Sequence, residues 1–236
     1  VRSSTPRANR PRSRRGEGDQ LRTEILAAVN RLLDRWGGDE KLTMRAVADE
    51  VGVAAPSIYL HFADKAELVW TALADNYTQL ADAMRAAADA SDGAGGGPRD
   101  RLTAQVHAYC RFALEHPGQY RLMYQVRQPV LSADRGRHPS RQVSGRLRRA
   151  LLDCAQAGHR LALPVHQCAH TLWTGLHGMV SIQQTMADEP TAPGGIDDLA
   201  DGLVGALVST EVSAGPALPA QTEIDRVIAA SVIDDD

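Results

Sequence analysis

Cysteine is scarce in this chain of 236 residues: Cys110, Cys154 and Cys168 are an odd number with no paired spacing. That excludes a disulfide framework and fits a reducing compartment. No run of about 18 apolar residues occurs, so no membrane-spanning helix is expected. No secretory leader is recognisable either, and the expected location is the cytoplasm. Alternating apolar and polar residues of the kind that make half-buried strands are missing throughout, which points to an all-α fold. Phosphate loops, dinucleotide fingerprints and nucleophile elbows are missing too, so neither an enzyme nor a resident cofactor is indicated. Lysine is almost absent: Lys41 and Lys65 stand alone, and every other basic residue is arginine. The formal net charge of −3 argues against a general nucleic-acid binder. The average hides an asymmetry, because residues 1–66 hold 12 Lys+Arg against 9 Asp+Glu and the remainder holds 14 against 20. A basic first part and an acidic second part fit a chain of which only one end meets DNA.

What is present is helical periodicity, and it is best marked from Leu42 to Phe62. Thr43 is an N-cap residue whose hydroxyl can accept an orphan amide of the helix that follows. Val47, Ala48 and Val51 share one face of that helix, and Gly52 sits where the chain leaves it and a positive φ is needed. Val53 buries the turn, and Pro56 lies early in a second helix, where its missing amide costs little. Ile58 and Phe62 point back to the first helix, leaving Ala55, Pro56, Ser57, Tyr59, Leu60 and His61 outside. A short helix, a glycine turn and a second helix with a face left free is a helix-turn-helix pattern.

This segment resembles the DNA-binding motif of the TetR (tetracycline-repressor) family of bacterial regulators, through Leu42-Thr43, Ala48, Val51-Gly52-Val53, Ile58-Tyr59, His61-Phe62, Lys65 and Leu68. One departure is Ala54, where many members carry a serine that caps the recognition helix; loss of a cap typically costs about 1 kcal/mol. The resemblance implies that Arg45 contacts DNA and that Lys65 contacts a phosphate. Ser57 and Tyr59 are candidate phosphate or base contacts, and Ala55, Pro56 and Leu60 would line the groove by shape or thymine-methyl contact. Thr43 and His61 complete the DNA-facing set.

Along the chain, residues 1–18 form a basic arm, rich in arginine and proline, that cannot bury enough surface to fold alone. Residues 19–64 make the DNA-binding domain, opening with an amphipathic helix from Gln20 to Trp36. Asp64 and Glu67 form a capping-box pattern at the head of a long helix running to about Ala90. Residues 65–213 form a second helical domain, in which Ser91–Pro98 is expected as a flexible glycine loop. Helices are expected over Arg99–His116, Tyr120–Val126, Gln142–Gln156, Pro164–Ala187 and Asp197–Val212. Residues 214–236 form a tail, with a weak helix over Thr222–Ile233.

In the second domain, Trp173, His177 and Gly178, with His116-Pro117-Gly118 and Tyr120 upstream, resemble the Trp-His-Gly class of TetR regulatory domains. That resemblance implies a homodimer formed through the last two long helices and a small-molecule pocket among the middle ones. Gly175 and Gly178 would let a partner helix approach closely. The candidate effector-binding residues are His107, Tyr109, Phe112, Tyr120, Met123, Tyr124, Trp173 and His177, with Met179 and Gln183 beside them. Large side chains carrying occasional polar atoms suit a mostly apolar effector. The expected function is a ligand-responsive repressor that binds a pseudo-palindromic double-stranded DNA operator as a dimer. Two alternatives stand beside it. One is a metal-responsive regulator, since His166 and His170 lie four apart with Cys168 between them, although that places the thiol across the helix. The other is a non-specific DNA-binding protein.

Overall fold

The computed structural model describes residues 17–124, 138–186 and 195–212. The arm before residue 17, part of the loop at 132–140 and the tail with its weak helix lie outside them. Among the described residues the chain makes nine helices and one small two-stranded ribbon. None of the described helices is long and apolar enough to cross a membrane.

Helix α1 (Glu17–Trp36) presents Ile25, Ala28, Val29, Leu32 and Leu33 to the core. Helix α2 (Met44–Val51) begins at Thr43, whose side chain accepts the amide of Ala46 at 3.1 Å, and ends at Gly52 with φ of 80°. Helix α3 (Ala55–Tyr59) follows after three residues, Gly52, Val53 and Ala54. Helix α4 (Lys65–Gly93) starts with Asp64 accepting the amide of Glu67 at 2.8 Å. The Glu67 carboxylate reaches back to the amide of Ala63 at 2.7 Å rather than to that of Asp64, so the capping box closes one residue early.

Helix α5 (Pro98–Glu115) packs along α4. The glycine segment between them is a hydrogen-bonded turn, not the flexible loop the composition suggests. Gly95 takes φ of 83°, the amide of Gly96 bonds the carbonyl of Ser91 at 2.9 Å, and Asp100 accepts the amide of Gly97 at 2.9 Å. A Cβ at Gly96 would lie 2.9 Å from the Ser91 carbonyl oxygen, so glycine is what lets the turn tighten.

Helices α6 (Pro117–Tyr124), α7 (Arg141–Gln156), α8 (Val165–Thr185) and α9 (Gly195–Leu207) complete the helical set. The all-α expectation holds apart from one correction. The last helix stops at Leu207, and Val208–Val212 (β2) pairs antiparallel with His159–Leu161 (β1). The β-branched Val208, Thr210 and Val212 suit an extended chain better than a helix end. Their partner lies some 50 residues away in sequence, so no local pattern announces the pairing.

Two glycines also resolve differently. A Cβ at Gly175 would lie 2.6 Å from Leu203, so Gly175 seats the chain's own α9. Gly178 has nothing within 4 Å and remains open. Cys110, Cys154 and Cys168 are buried and free. Burial pushes the Cys110 thiol up to about 12 and that of Cys154 up to about 11, which suits inert core residues.

Candidate nucleic-acid interface and effector site

The candidate DNA-facing surface is built around α3. Ile58 and Phe62 are sealed in the core and hold the short helix against α2, leaving the rest of it outside. Leu60 is 84 % exposed and Tyr59 54 % exposed, large apolar groups with no intramolecular reason to face water. Pro56 is exposed beside them, while Ala55, Ser57 and His61 are half-buried. Ala54 holds the N-cap place in extended backbone but offers no side-chain hydrogen bond, as its methyl group dictates.

Arg45 is exposed on the first turn of α2. Thr43 uses its oxygen for capping, which leaves its hydroxyl proton free to donate to a phosphate. Lys65 stands at the first residue of α4, and its Nζ donates to the carbonyl of Asp39 at 3.2 Å, with the Asp39 carboxylate at 3.9 Å. The structure thus ties this ammonium to the turn between α1 and α2.

Three arginines brace the same unit. Glu50 of α2 accepts from Arg31 at 3.0 Å and from Arg35 at 2.9 and 3.3 Å, both from α1. Those guanidiniums, Arg35 first, hold the Glu50 carboxyl below the usual carboxylate range. Arg22 lies over the Phe62 ring, 5.0 Å from its centroid, and joins α1 to the end of the recognition segment.

The effector candidates fall into two groups. Tyr109, Tyr120, Tyr124, Trp173 and His177 come together where α5, α6 and α8 meet. The hydroxyls of Tyr109 and Tyr120 are 2.8 Å apart, and that of Tyr120 is 2.8 Å from Nδ1 of His177. The Trp173 indole donates to the Tyr124 hydroxyl at 3.2 Å. Ring centroids of Tyr120–Tyr124 and Tyr124–His177 stand 4.7 and 4.8 Å apart. Burial drives the phenols of Tyr109, Tyr120 and Tyr124 well above their ordinary range and pushes the His177 imidazole down. Met123 is buried on α6, and its carbonyl accepts the Tyr77 hydroxyl at 3.1 Å. Met179 and Gln183 are half-buried further along α8.

The remaining candidates are elsewhere. His107 points outward and meets Asp201 of α9 at 2.8 Å, so it fastens two helices instead of joining the cluster. Phe112 packs on His116, with ring centroids 5.0 Å apart. Sequence reasoning missed Tyr77, Trp70 and His138 as members of this region. The Tyr77 and Trp70 rings each stand 5.7 Å from that of His138, and Tyr77 also meets Tyr124 at 5.9 Å. The signal available was the seven-residue spacing of Trp70 and Tyr77, two turns apart on one face of α4.

The two regions are joined through α6. Asp34, near the end of α1, accepts the amides of Gly118 and Gln119 at 3.1 and 3.3 Å. Arg121 donates to the carbonyl of Gly37, just beyond α1. One short helix therefore carries the DNA-binding unit at its first turn and two of the clustered tyrosines along its length.

The metal-ligand spacing dissolves in three dimensions. Cys168 is buried and its Sγ donates to the carbonyl of Leu163 at 3.2 Å, whereas His170 is exposed. Among the described residues no group of three His, Cys, Asp or Glu is placed to hold a metal ion.

Against known proteins, residues 25–70 match the family described as bacterial regulatory proteins, tetR family, and residues 102–207 match the tetracyclin repressor-like C-terminal domain. The chain belongs to the TetR family. Its Trp173, His177 and Gly178 fall inside the second match, in keeping with a Trp-His-Gly type of regulatory domain. Among curated relatives of this TetR protein, the HTH-type transcriptional activator FasR of Mycolicibacterium smegmatis is 32 % identical over 133 residues, covering 54 % of this chain and 58 % of that one. The HTH-type transcriptional regulator Rv1816 of Mycobacterium tuberculosis is 30 % identical over 112 residues, 47 % of this chain and 46 % of the other. The chain thus spans about half the length of the curated relatives it matches. A TetR family transcription regulator from Marinobacter aquaeolei shares the fold with a TM-score of 0.63 at 18 % identity, covering 83 % of this chain and 99 % of that one. A protein of unknown function from Rhodococcus shares it with a TM-score of 0.62 at 23 % identity, covering 79 % and 95 %.

Proposed function

We propose that this TetR protein is a ligand-responsive transcriptional repressor that binds a pseudo-palindromic operator as a homodimer. The observation that carries the reading is the double attachment of α6. Its first two free amides are held by Asp34 of the DNA-binding unit, and its Tyr120 and Tyr124 stand in the aromatic cluster. A mostly apolar effector that parts those rings must move α6, and through Asp34 and Gly37 it must move α1.

On the DNA side, Tyr59, Leu60 and Pro56 enter the major groove by shape and methyl contact, and Arg45 is the candidate reader of a guanine. Ser57, Thr43, His61 and Ala55 flank them. Lys65, drawn toward Asp39, approaches phosphate only as part of that ion pair.

The second copy is assigned to the open face of α8 and α9. Ile182 is 48 % and Met186 51 % exposed there, with Leu199, Gly178 and Gly202 also uncovered. Small residues beside exposed aliphatics suit helices of a partner packing closely.

One observation favours a second reading of the output. FasR is named a transcriptional activator, so the same operator binding could raise transcription. Two measurements separate the cases. Fluorescence anisotropy on the protein's own upstream DNA, against a scrambled duplex across a salt series, is expected to show selective binding by a dimer. Equal, steeply salt-sensitive binding to both duplexes defeats the regulator reading in favour of a non-specific binder. A promoter reporter then assigns the sign, because deletion of the regulator raises expression under a repressor and lowers it under an activator.

A further inference from the structure

The chain has two lysines, and one of them does not present a free charge. Lys41 is exposed. Lys65 instead donates to the Asp39 carbonyl at 3.2 Å, with the Asp39 carboxylate 3.9 Å from its Nζ. Two other carboxylates stand beside Lys65 at the head of α4, and both are spent on backbone amides. Asp64 accepts the amide of Glu67 at 2.8 Å, and Glu67 accepts that of Ala63 at 2.7 Å. Among the described residues, Asp39 is therefore the carboxylate that meets this ammonium.

The two partners differ in freedom of movement. The turn that bears Asp39 is braced along its length. The amide of Gly37 donates to the carbonyl of Leu33 at 2.8 Å, and Arg121 of α6 donates to the carbonyl of Gly37. The Asp39 carbonyl also accepts the amide of Leu42 at 3.0 Å. Lys65 carries a compact charge on a flexible four-carbon stem, and its side chain is 43 % exposed. A carboxylate fixed on the protein and a phosphate on DNA thus compete for one ammonium. If Lys65 turns to the phosphate, the Asp39 charge is left uncovered beside the duplex. If Lys65 stays, the phosphate keeps its counterion. In both cases the pair adds little net positive charge to the interface.

We infer that Asp39 is a positioning residue that holds back the Lys65 ammonium and so limits the electrostatic grip of the DNA-binding unit. This rests on the reading of Lys65 as a phosphate contact and deepens it, by naming the residue that sets the strength of that contact.

The first test needs no DNA. Because Lys41 and Lys65 are the only lysines, ¹⁵N-lysine labelling of the full chain gives two side-chain ammonium signals, assigned with Lys65→Arg. Asp39→Asn should shift the Lys65 signal and leave that of Lys41 in place. A Lys65 signal that does not move overturns the inference, because the pairing it needs is then absent.

The second test is anisotropy on the protein's own upstream duplex across a salt series. At low salt Asp39→Asn should bind about three- to fivefold more tightly, the scale of an exposed ion pair. Its slope of log K against log salt should steepen by about 0.9 per protomer, one phosphate newly neutralised. Adding Lys65→Ala should abolish both gains. Glu40→Gln removes the same charge one residue further on and should produce neither. An unchanged slope in Asp39→Asn, a gain that survives Lys65→Ala, or an equal gain from Glu40→Gln overturns the inference. Asp39→Asn keeps the backbone carbonyl that receives Leu42 and Lys65, and its urea midpoint checks that the fold is retained; Asp39→Ser repeats the series if it is not. The scrambled duplex separates the two readings. Equal binding of the wild type to both duplexes defeats the regulator reading, whereas the slope change at Asp39 is expected on either.

Discussion

Asp34 Oδ1 accepts the backbone amides of Gly118 and Gln119 at 3.1 and 3.3 Å, so a side chain of the DNA-binding unit caps the first turn of α6. The opening amides of a helix need acceptors, and here the acceptor is lent by another domain. Gly118 makes the approach possible, since a Cβ at that position would lie 2.1 Å from the carbonyl oxygen of Leu33. Asp34→Ala is expected to cost about 0.5–2 kcal/mol, as loss of a cap does. Gly118→Ala is expected to cost about 1–3 kcal/mol through overpacking. Urea denaturation measures both. On the proposed mechanism Asp34→Ala should also keep operator affinity while weakening release by effector, and intact release would place the coupling elsewhere.

Ala54→Ser should restore a cap to α3. The backbone there is already extended, with φ of −74° and ψ of 141°, so the hydroxyl can reach an amide of the first turn without rearrangement. The expected gain is about 1 kcal/mol in thermal or urea unfolding. Operator affinity should rise with it, because a better-ordered recognition helix has less entropy to lose on binding.

Asn76 lies fully buried on α4, and neither its amide oxygen nor its nitrogen meets a partner among the described residues. A buried polar group without a partner costs about 1–3 kcal/mol, so Asn76→Leu should stabilise the fold by a comparable amount. A fall in the unfolding midpoint would mean that the amide is engaged in solution.

Acid should weaken the fold through His177. Burial lowers its pKa in the folded chain, whereas the unfolded imidazole titrates near about 6.5. Between those two values the unfolded chain binds a proton that the folded chain does not, so stability rises with pH across that window. The contribution is complete above about pH 6.5 and is lost as the pH falls through the folded value. His138 shifts in the same direction for the same reason. Unfolding midpoints taken from about pH 5 to 7.5 should fall on acidification, and His177→Gln should flatten the slope.

Much of the DNA-binding unit was legible because its determinants are local. Thr43 caps its helix through an amide three residues on, Gly52 adopts the positive φ its position demands, and Ile58 and Phe62 lie one turn apart on the buried face. Interactions within one or two turns follow from spacing and residue type alone, and the helical character of the rest follows from the same periodicity. Ala54 could be recognised as an uncapped start for that reason as well.

Tertiary structure decided what depends on groups far apart in sequence. It sent Gly175 to its own α9, turned His107 outward to Asp201, and drew Lys65 to Asp39. It ended α9 early so that Val208–Val212 could pair with His159–Leu161, and it brought Trp70, Tyr77 and His138 to the edge of the tyrosine cluster. The Tyr120 hydroxyl meets Tyr109 of α5 and His177 of α8 at once, a contact among three helices that no single helix contains. Periodicity states which side chains face inward; only the packed helices determine which polar atoms they meet there.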